Sequence, residues 1–97
     1  MEGTGLKEIV EKYLSVQEEA INKIRISVPE KSFLETAASD YLSMIRSYFS
    51  DSRYFYEKGD YARALASINY AYGWLDSAVR FGLLDGGSDN RLFTLYK

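Results

Sequence analysis

The chain contains neither cysteine nor histidine, and proline occurs once among its 97 residues. Without cysteine, disulfides and thiolate metal sites are excluded. The lack of histidine removes the commonest general base and metal ligand, so we predict no catalytic residue, cofactor or metal and lean against an enzyme. No apolar run approaches the roughly 18 residues of a membrane span. The N-terminus lacks a signal-peptide pattern, so the expected location is the cytoplasm.

The chain also lacks a large excess of charge of either sign. Twelve basic and fourteen acidic residues are interspersed and give a net charge of −2. A nucleic-acid-binding domain usually carries a basic stripe, and the sequence shows none. We therefore rank a protein partner, or a second copy of this chain, above nucleic acid, and we expect no membrane.

Apolar residues recur at three- and four-residue steps in three segments, which predicts an all-α fold in one domain, 1–97. We expect helices at about 4–25, 32–58 and 60–82, a loop at 83–90 and a tail at 91–97. Pro29 ends the first segment, because proline disfavours the helical conformation of the residue before it. Ser32 and Glu35 fit a capping box, in which each side chain satisfies the other residue's backbone N–H.

Gly59-Asp60 is the clearest turn signal in the chain. Glycine suits the left-handed position that ends a helix, and aspartate suits the N-cap of the next. A junction this short predicts an antiparallel hairpin, and hence a three-helix antiparallel bundle with a C-terminal helical hairpin. The residues after 90 are rich in apolar side chains, and we expect Leu92, Phe93 or Leu95 to pack on the bundle of this chain or of another; a disordered tail is the alternative.

The third helix carries more apolar surface than a simple bundle needs. Besides its core stripe it has a second stripe, formed by Arg63, Ser67, Tyr70, Trp74, Ser77 and Phe81. A third strip is small and nearly uncharged, and consists of Ala62, Ala66, Asn69 and Gly73. A helix that is apolar almost all round is normally buried on several sides.

Three interpretations of the second stripe remain open. The first helix and the tail could cover the third helix from both sides. Alternatively, Tyr70, Trp74 and Phe81, with Arg63 beside them, form an interface with a partner or a second copy, since aromatic residues dominate interface hot spots. A ligand groove at the same place is the third interpretation. We favour a non-enzymatic interaction or self-association module.

The alternative function is binding of a nucleic acid or nucleotide through arginine and aromatic residues around the hairpin. Arg80 and Asp76 are spaced as an ion pair on one helix. Together with Arg53 they are the candidate contacts for an anion or partner.

Several motifs together resemble a known family. The run Phe-Tyr-Glu-Lys-Gly-Asp-Tyr at 55–61 is followed by Ala-Leu-Ala at 64–66, Tyr-Ala-Tyr-Gly-Trp-Leu-Asp at 70–76 and Arg-Phe-Gly-Leu-Leu at 80–84. With Asn-Arg-Leu-Phe-Thr at 90–94, this resembles the archaeal domain-of-unknown-function family 357. The resemblance is specific over residues 50–97 and looser over the first helix. It implies a small helical bundle in an archaeal cytoplasm, with no established activity, cofactor or catalytic residue.

Overall fold

The computed structural model describes residues 2–86, with side chains from Gly5 onward. It contains three helices and two short strands in the order α1 (Glu2–Lys23), β1 (Arg25–Ile26), α2 (Phe33–Glu57), α3 (Tyr61–Arg80) and β2 (Leu84–Asp85). The predicted all-α class is confirmed. The tail at 91–97, which we expected to pack on a bundle, lies outside the described residues.

The turn between α2 and α3 is built from backbone hydrogen bonds around Gly59. Its φ of 79° lies in the left-handed region, which glycine enters without steric cost. The N–H of Gly59 donates to Tyr56 O at 3.0 Å, and the N–H of Asp60 donates to Phe55 O at 2.9 Å, the pattern of a Schellman motif. The Asp60 side chain then accepts from the N–H of Arg63 at 3.2 Å. Only three residues, 58–60, therefore separate the end of α2 from the start of α3.

Small residues let α2 and α3 pack closely. Three alanines, Ala64, Ala71 and Ala78, recur every seventh residue on α3 and are fully buried. At the hairpin end Ser52 of α2, also fully buried, donates its hydroxyl to the backbone oxygen of Ala64 at 2.7 Å. The buried hydroxyl of Ser52 thus has a hydrogen-bond partner, and α2 continues through this residue without a break.

The core lies where α1 meets this hairpin. α3 is the central helix, since it packs against both α1 and α2 more extensively than those two helices pack against each other. The largest core cluster joins Ala20 and Ile24 of α1 to Ile45 of α2 and Leu75 of α3. Leu84 of β2 closes the same cluster at the open end of the hairpin.

A two-stranded pairing that the sequence did not predict closes that end. β1 and β2 are antiparallel, with Arg25 opposite Asp85 and Ile26 opposite Leu84. The expected loop at 83–90 therefore begins as a strand. A second Schellman turn at Gly82, whose φ is 80°, directs the chain there. This pairing depends on residues almost sixty positions apart, so no local pattern signals it.

The N-terminus of α2 differs from the predicted capping box in one bond. The Ser32 hydroxyl accepts from the N–H of Glu35 at 3.1 Å, as expected. The Glu35 carboxylate, however, accepts from the N–H of Lys31 at 2.7 Å rather than from Ser32. Lys31 has a φ of 63°, and the N–H of Ser32 is directed instead at Pro29 O, at 3.4 Å. The reciprocal half of the prediction is therefore wrong.

Replacing Gly59 by alanine should destabilise the fold by about 1–2 kcal/mol, the approximate cost of the left-handed conformation for a residue with a Cβ. Gly5 provides a matched control. It lies inside α1 with nothing within 4 Å of an added Cβ, so Gly5→Ala should leave stability unchanged or raise it by up to about 1 kcal/mol. Urea unfolding followed by circular dichroism measures both, and a change of the same sign in both variants would contradict this account.

Gln17 offers a second test of the core. Its side chain is 1% exposed, and neither amide atom has a hydrogen-bond partner among the described residues. An unsatisfied buried polar group costs about 1–3 kcal/mol, so Gln17→Leu should stabilise the protein by a similar amount. The nearly isosteric Gln17→Glu should instead destabilise it at neutral pH, because it buries a charge. A Leu variant no more stable than the wild type in thermal unfolding would show that the amide is satisfied.

Candidate functional site

The hairpin of α2 and α3 has two sides, and α1 covers one of them. On that side Arg53 of α2 lies 4.0 Å from Glu18 of α1, and the Tyr56 hydroxyl donates to the Glu11 carboxylate. The side chains at the other edge of α2 point away from α1, since they lie on the opposite side of its buried stripe. Among the described residues, the hairpin therefore has one side that α1 covers and one side that no other helix covers.

Aromatic pairs line the open side along the seam between the two helices. Tyr41 meets Trp74 edge-on, with ring centroids 4.9 Å apart, and Tyr48 stacks on Tyr70 at 5.3 Å. Towards the hairpin turn, the Arg63 guanidinium lies 5.8 Å from the centre of a third ring, that of Phe55. The residues of α2 are spaced by seven, so they fall on one edge of the helix.

This row of side chains along the seam continues to the end of the hairpin opposite the turn. Leu34 lies seven residues before Tyr41, and Phe81 lies seven residues after Trp74. We call this surface the aromatic face; it consists of Leu34, Tyr41, Tyr48, Phe55, Arg63, Tyr70, Trp74 and Phe81. Its two ends and its centre are open to solvent, because Leu34 is 47%, Tyr70 62% and Phe81 78% exposed.

A shallow groove crosses the aromatic face at its centre. It has a volume of about 350 Å³ and is lined by Tyr41, Asn69, Tyr70, Gly73, Trp74 and Ser77. None of these side chains is charged. From Ala64 to Leu75, twelve consecutive residues of α3 carry no charge at all. An apolar partner could enter this groove without burying an unpaired ion.

The strip of α3 beside the groove is small as well as uncharged. Ala62, Ala66, Asn69 and Gly73 are all exposed. Among the described residues, a Cβ added at Gly73 would meet nothing within 4 Å, so the packing of that part of the chain does not require glycine there. Glycine inside a helix costs roughly 1 kcal/mol relative to alanine. The packing among residues 2–86 therefore gives no reason for this cost.

The predicted site residues fall into two groups. Tyr70, Trp74, Phe81 and Arg63, predicted as an interface, follow one another along the aromatic face, although Trp74 is half-buried against Tyr41. Their role remains a prediction.

The three predicted anion contacts do not converge. Arg80 donates to Asp76 at 2.9 Å on the surface of α3. Arg53 lies on the side covered by α1, next to Glu18. Arg63 also approaches a carboxylate, that of Asp60, at 3.5 Å. Each arginine is thus near an acidic partner, and the three do not form a single basic surface.

A second groove lies between α1 and α2, with a volume of about 280 Å³. Its polar lining consists of Glu11, Ser15, Glu18, Arg53, Tyr56 and Glu57, and its apolar lining consists of Leu14 and Phe49. Arg53 of α2 and Glu18 of α1, which carry opposite charges, lie near each other across this groove. Within residues 2–86, no group of three or more acidic side chains is placed to hold a metal ion.

The comparison with known proteins places the chain in a family. The family model described as a protein of unknown function, DUF357, matches residues 12–84. The chain belongs to the DUF357 family. A crystal structure of protein AF1782 from Archaeoglobus fulgidus, also assigned to DUF357, is similar: it has 30% sequence identity and a TM-score of 0.72, over 87% of this chain and 96% of that one. Among curated proteins, none matches.

This DUF357 protein also has contacts that the sequence pattern did not reveal. They are the ring contacts of Tyr41 with Trp74 and of Tyr48 with Tyr70, because periodicity predicts the face on which a residue lies but not its partner on another helix. The seven-residue spacing from Leu34 through Tyr41 and Tyr48 to Phe55 was the available signal. Among the helices of the described part of the chain, none is long and apolar enough to cross a membrane.

Titration of Tyr56 tests the packing of α1 on the hairpin. Its hydrogen bond to Glu11, with smaller contributions from partial burial and from the negative charge of Glu11, raises the Tyr56 pKa from 10.0 to about 12. A raised tyrosine pKa means stability that is fully present below pH 10 and is lost as pH rises from 10 towards 12.

Tyrosinate absorbance of the wild type minus that of Tyr56→Phe should therefore show one group that ionises near pH 12. In the Glu11→Gln background the midpoint of this difference titration should move down towards pH 10, because the carboxylate acceptor and its charge are gone. An unchanged midpoint in Glu11→Gln would mean that α1 does not hold Tyr56 as described.

Proposed function

We propose that this DUF357 protein is a non-enzymatic protein-interaction module that binds a protein partner through the aromatic face. The observation that carries the proposal is the difference between the two sides of the hairpin. α1 covers one side, while the other keeps Tyr70 and Phe81 mostly exposed. Both sides of the hairpin carry enough apolar side chains for another helix or a protein partner to pack on them.

The chemistry of the face suits a protein. Interface centres are depleted of charge and enriched in aromatic residues, and the described face is aromatic at its seam and uncharged on α3 from Ala64 to Leu75. Tyr70 and Trp74 are the expected hot spots, because large rings beside a groove bury the most apolar area per residue. Arg63 lies at the rim, where a charge adds to specificity more than to affinity.

The charges support a protein over a nucleic acid. Binding to phosphates needs several cations that converge, whereas Arg53, Arg63 and Arg80 each approach a carboxylate and lie on different parts of the surface. The Asp76–Arg80 pair lines neither of the two grooves. Its position on the open surface supports a binding function over catalysis. The cytoplasmic location expected from the sequence stays a prediction.

A photo-crosslinking amino acid at Tyr70 tests the proposal in cells of the native host. Tyr54 is the matched control, because it is a tyrosine of similar exposure, 57% against 62%, on α2 outside the aromatic face. We expect a discrete covalent adduct from position 70 and none from position 54, since only the aromatic face is occupied by a partner.

The mass of the adduct identifies the partner. A discrete species at position 70, whether it contains another protein or a second copy of the chain, supports the interaction module. Equal labelling at both positions, or no adduct at either, would contradict it. Tyr70→Ser combined with Trp74→Ser should also abolish an adduct formed from a probe at Ser77 in the same groove.

A further inference from the structure

We propose that residues 5–17 of α1 form a latch that detaches from the α2–α3 hairpin while the rest of the chain stays folded, and that Gln17 keeps this latch weak. The inference does not depend on the proposed function, because it concerns the side of the hairpin that α1 covers and not the aromatic face. Opening of the latch would expose that covered side around Phe49, so any binding there would be controlled by the latch.

Gln17 occupies the central position of the buried stripe of α1. Val10 and Ile24 lie seven residues before and after it and are buried on the same face of the helix. A polar residue at such a position can fix the register of packed helices when it bonds a partner. Gln17 is 1% exposed, and its two amide atoms have no hydrogen-bond partner among the described residues. Its effect is therefore to weaken the attachment of α1.

The latch also packs incompletely against α2. The groove of about 280 Å³ between the two helices is lined on α1 by residues from Glu11 to Glu18, so it runs along the latch. Leu14 of α1 and Phe49 of α2 line it, and both are only half-buried. A gap beside apolar side chains forfeits dispersion contacts that a closed seam would make. The unsatisfied amide and the open seam thus fall in the same part of α1.

The polar contacts between this part of α1 and the hairpin are exposed to solvent. Within the latch, Glu11 accepts a hydrogen bond from the Tyr56 hydroxyl. Directly after the latch, Glu18 lies 4.0 Å from Arg53, and the two side chains are 58% and 52% exposed. Ion pairs as open as this one contribute little to stability. These contacts therefore do not offset the cost of burying Gln17.

The remainder of the fold has a core that does not include the latch. Within residues 5–17, Val10 is the only buried apolar residue. The buried members that α1 contributes to the largest core cluster are Ala20 and Ile24, and the pairing of β1 with β2 anchors the chain just after them. Segments with few buried apolar contacts open locally at a lower free energy than the core. The hinge of the latch would therefore lie between Gln17 and Ala20.

Hydrogen exchange of the intact protein, measured residue by residue by NMR, tests the latch. Its amides should exchange at least about tenfold faster than the most protected amides of α2 and α3, because they open without global unfolding. Gln17→Leu should slow exchange in the latch by about 5- to 150-fold, the range that corresponds to removing one unsatisfied buried amide. The most protected hairpin amides should slow by a similar factor, since the replacement stabilises the closed state against both the open and the unfolded state.

Ile45→Val is the matched control, because Ile45 is fully buried in the core cluster and lies outside the latch. Loss of one methylene should speed exchange of the most protected amides of α2 and α3 by about 2- to 10-fold. The latch amides should keep their rates, since the hairpin is folded both before and after the latch opens. An equal acceleration in the latch would show that α1 opens only in global unfolding. Unchanged latch rates in Gln17→Leu would show that Gln17 does not weaken it. Either result would overturn the inference.

Cysteine labelling gives an independent measurement, because the chain contains no cysteine of its own. Val10 and Ile45 are both fully buried, one inside the latch and one outside it. Val10→Cys should react with a thiol reagent at least about tenfold faster than Ile45→Cys, although the second replacement removes more apolar volume and so destabilises the fold more. Adding Gln17→Leu should slow the reaction at position 10. Equal reaction rates at the two positions would contradict a separate opening of the latch.

Discussion

The close packing of α2 against α3 is the constraint on which the rest of the structure depends. The turn at Gly59 and Asp60 sets the two helices antiparallel, and the buried alanines of α3 let their backbones approach. The hydroxyl of Ser52 on the backbone oxygen of Ala64 fixes the register near the turn. Once the helices lie this close, their larger side chains are displaced to the two sides of the seam.

The displaced side chains form the two surfaces of the α2–α3 hairpin. One side receives α1, whose Ala20 and Ile24 pack into the cluster with Ile45 and Leu75. The other side collects the rings that pair across the seam. Tyr41 and Trp74 are half-buried because their rings pack against each other and against the core cluster. The outer surface of these rings would need another layer of structure to cover it. The aromatic face is therefore a consequence of the same packing that builds the core.

Much of the candidate site could be predicted from the sequence, because α3 carries a second apolar stripe at helical spacing. Tyr70, Trp74 and Phe81 fall on it by periodicity alone. The partners from α2 could not be assigned in the same way, since Tyr41 and Tyr48 lie at the edge of an apolar stripe. Which edge faces α1 depends on the angle at which α1 crosses the hairpin, and no local pattern encodes that angle.

The sequence by itself determined the all-α class, the break at Pro29 and the turn at Gly59, because periodicity, capping and left-handed conformations depend on residues close in the chain. Only the tertiary structure decided which edge of α2 faces α1 and which edge pairs with the rings of α3. It also decided the pairing of Ile26 with Leu84 and the bond from Lys31 to Glu35. The strand pairing joins distant segments, and the Glu35 contact follows from the backbone shape at Lys31. The strand pairing therefore depends on how the helices pack, whereas the Glu35 contact depends on the positive φ of Lys31, which a non-glycine residue type does not signal.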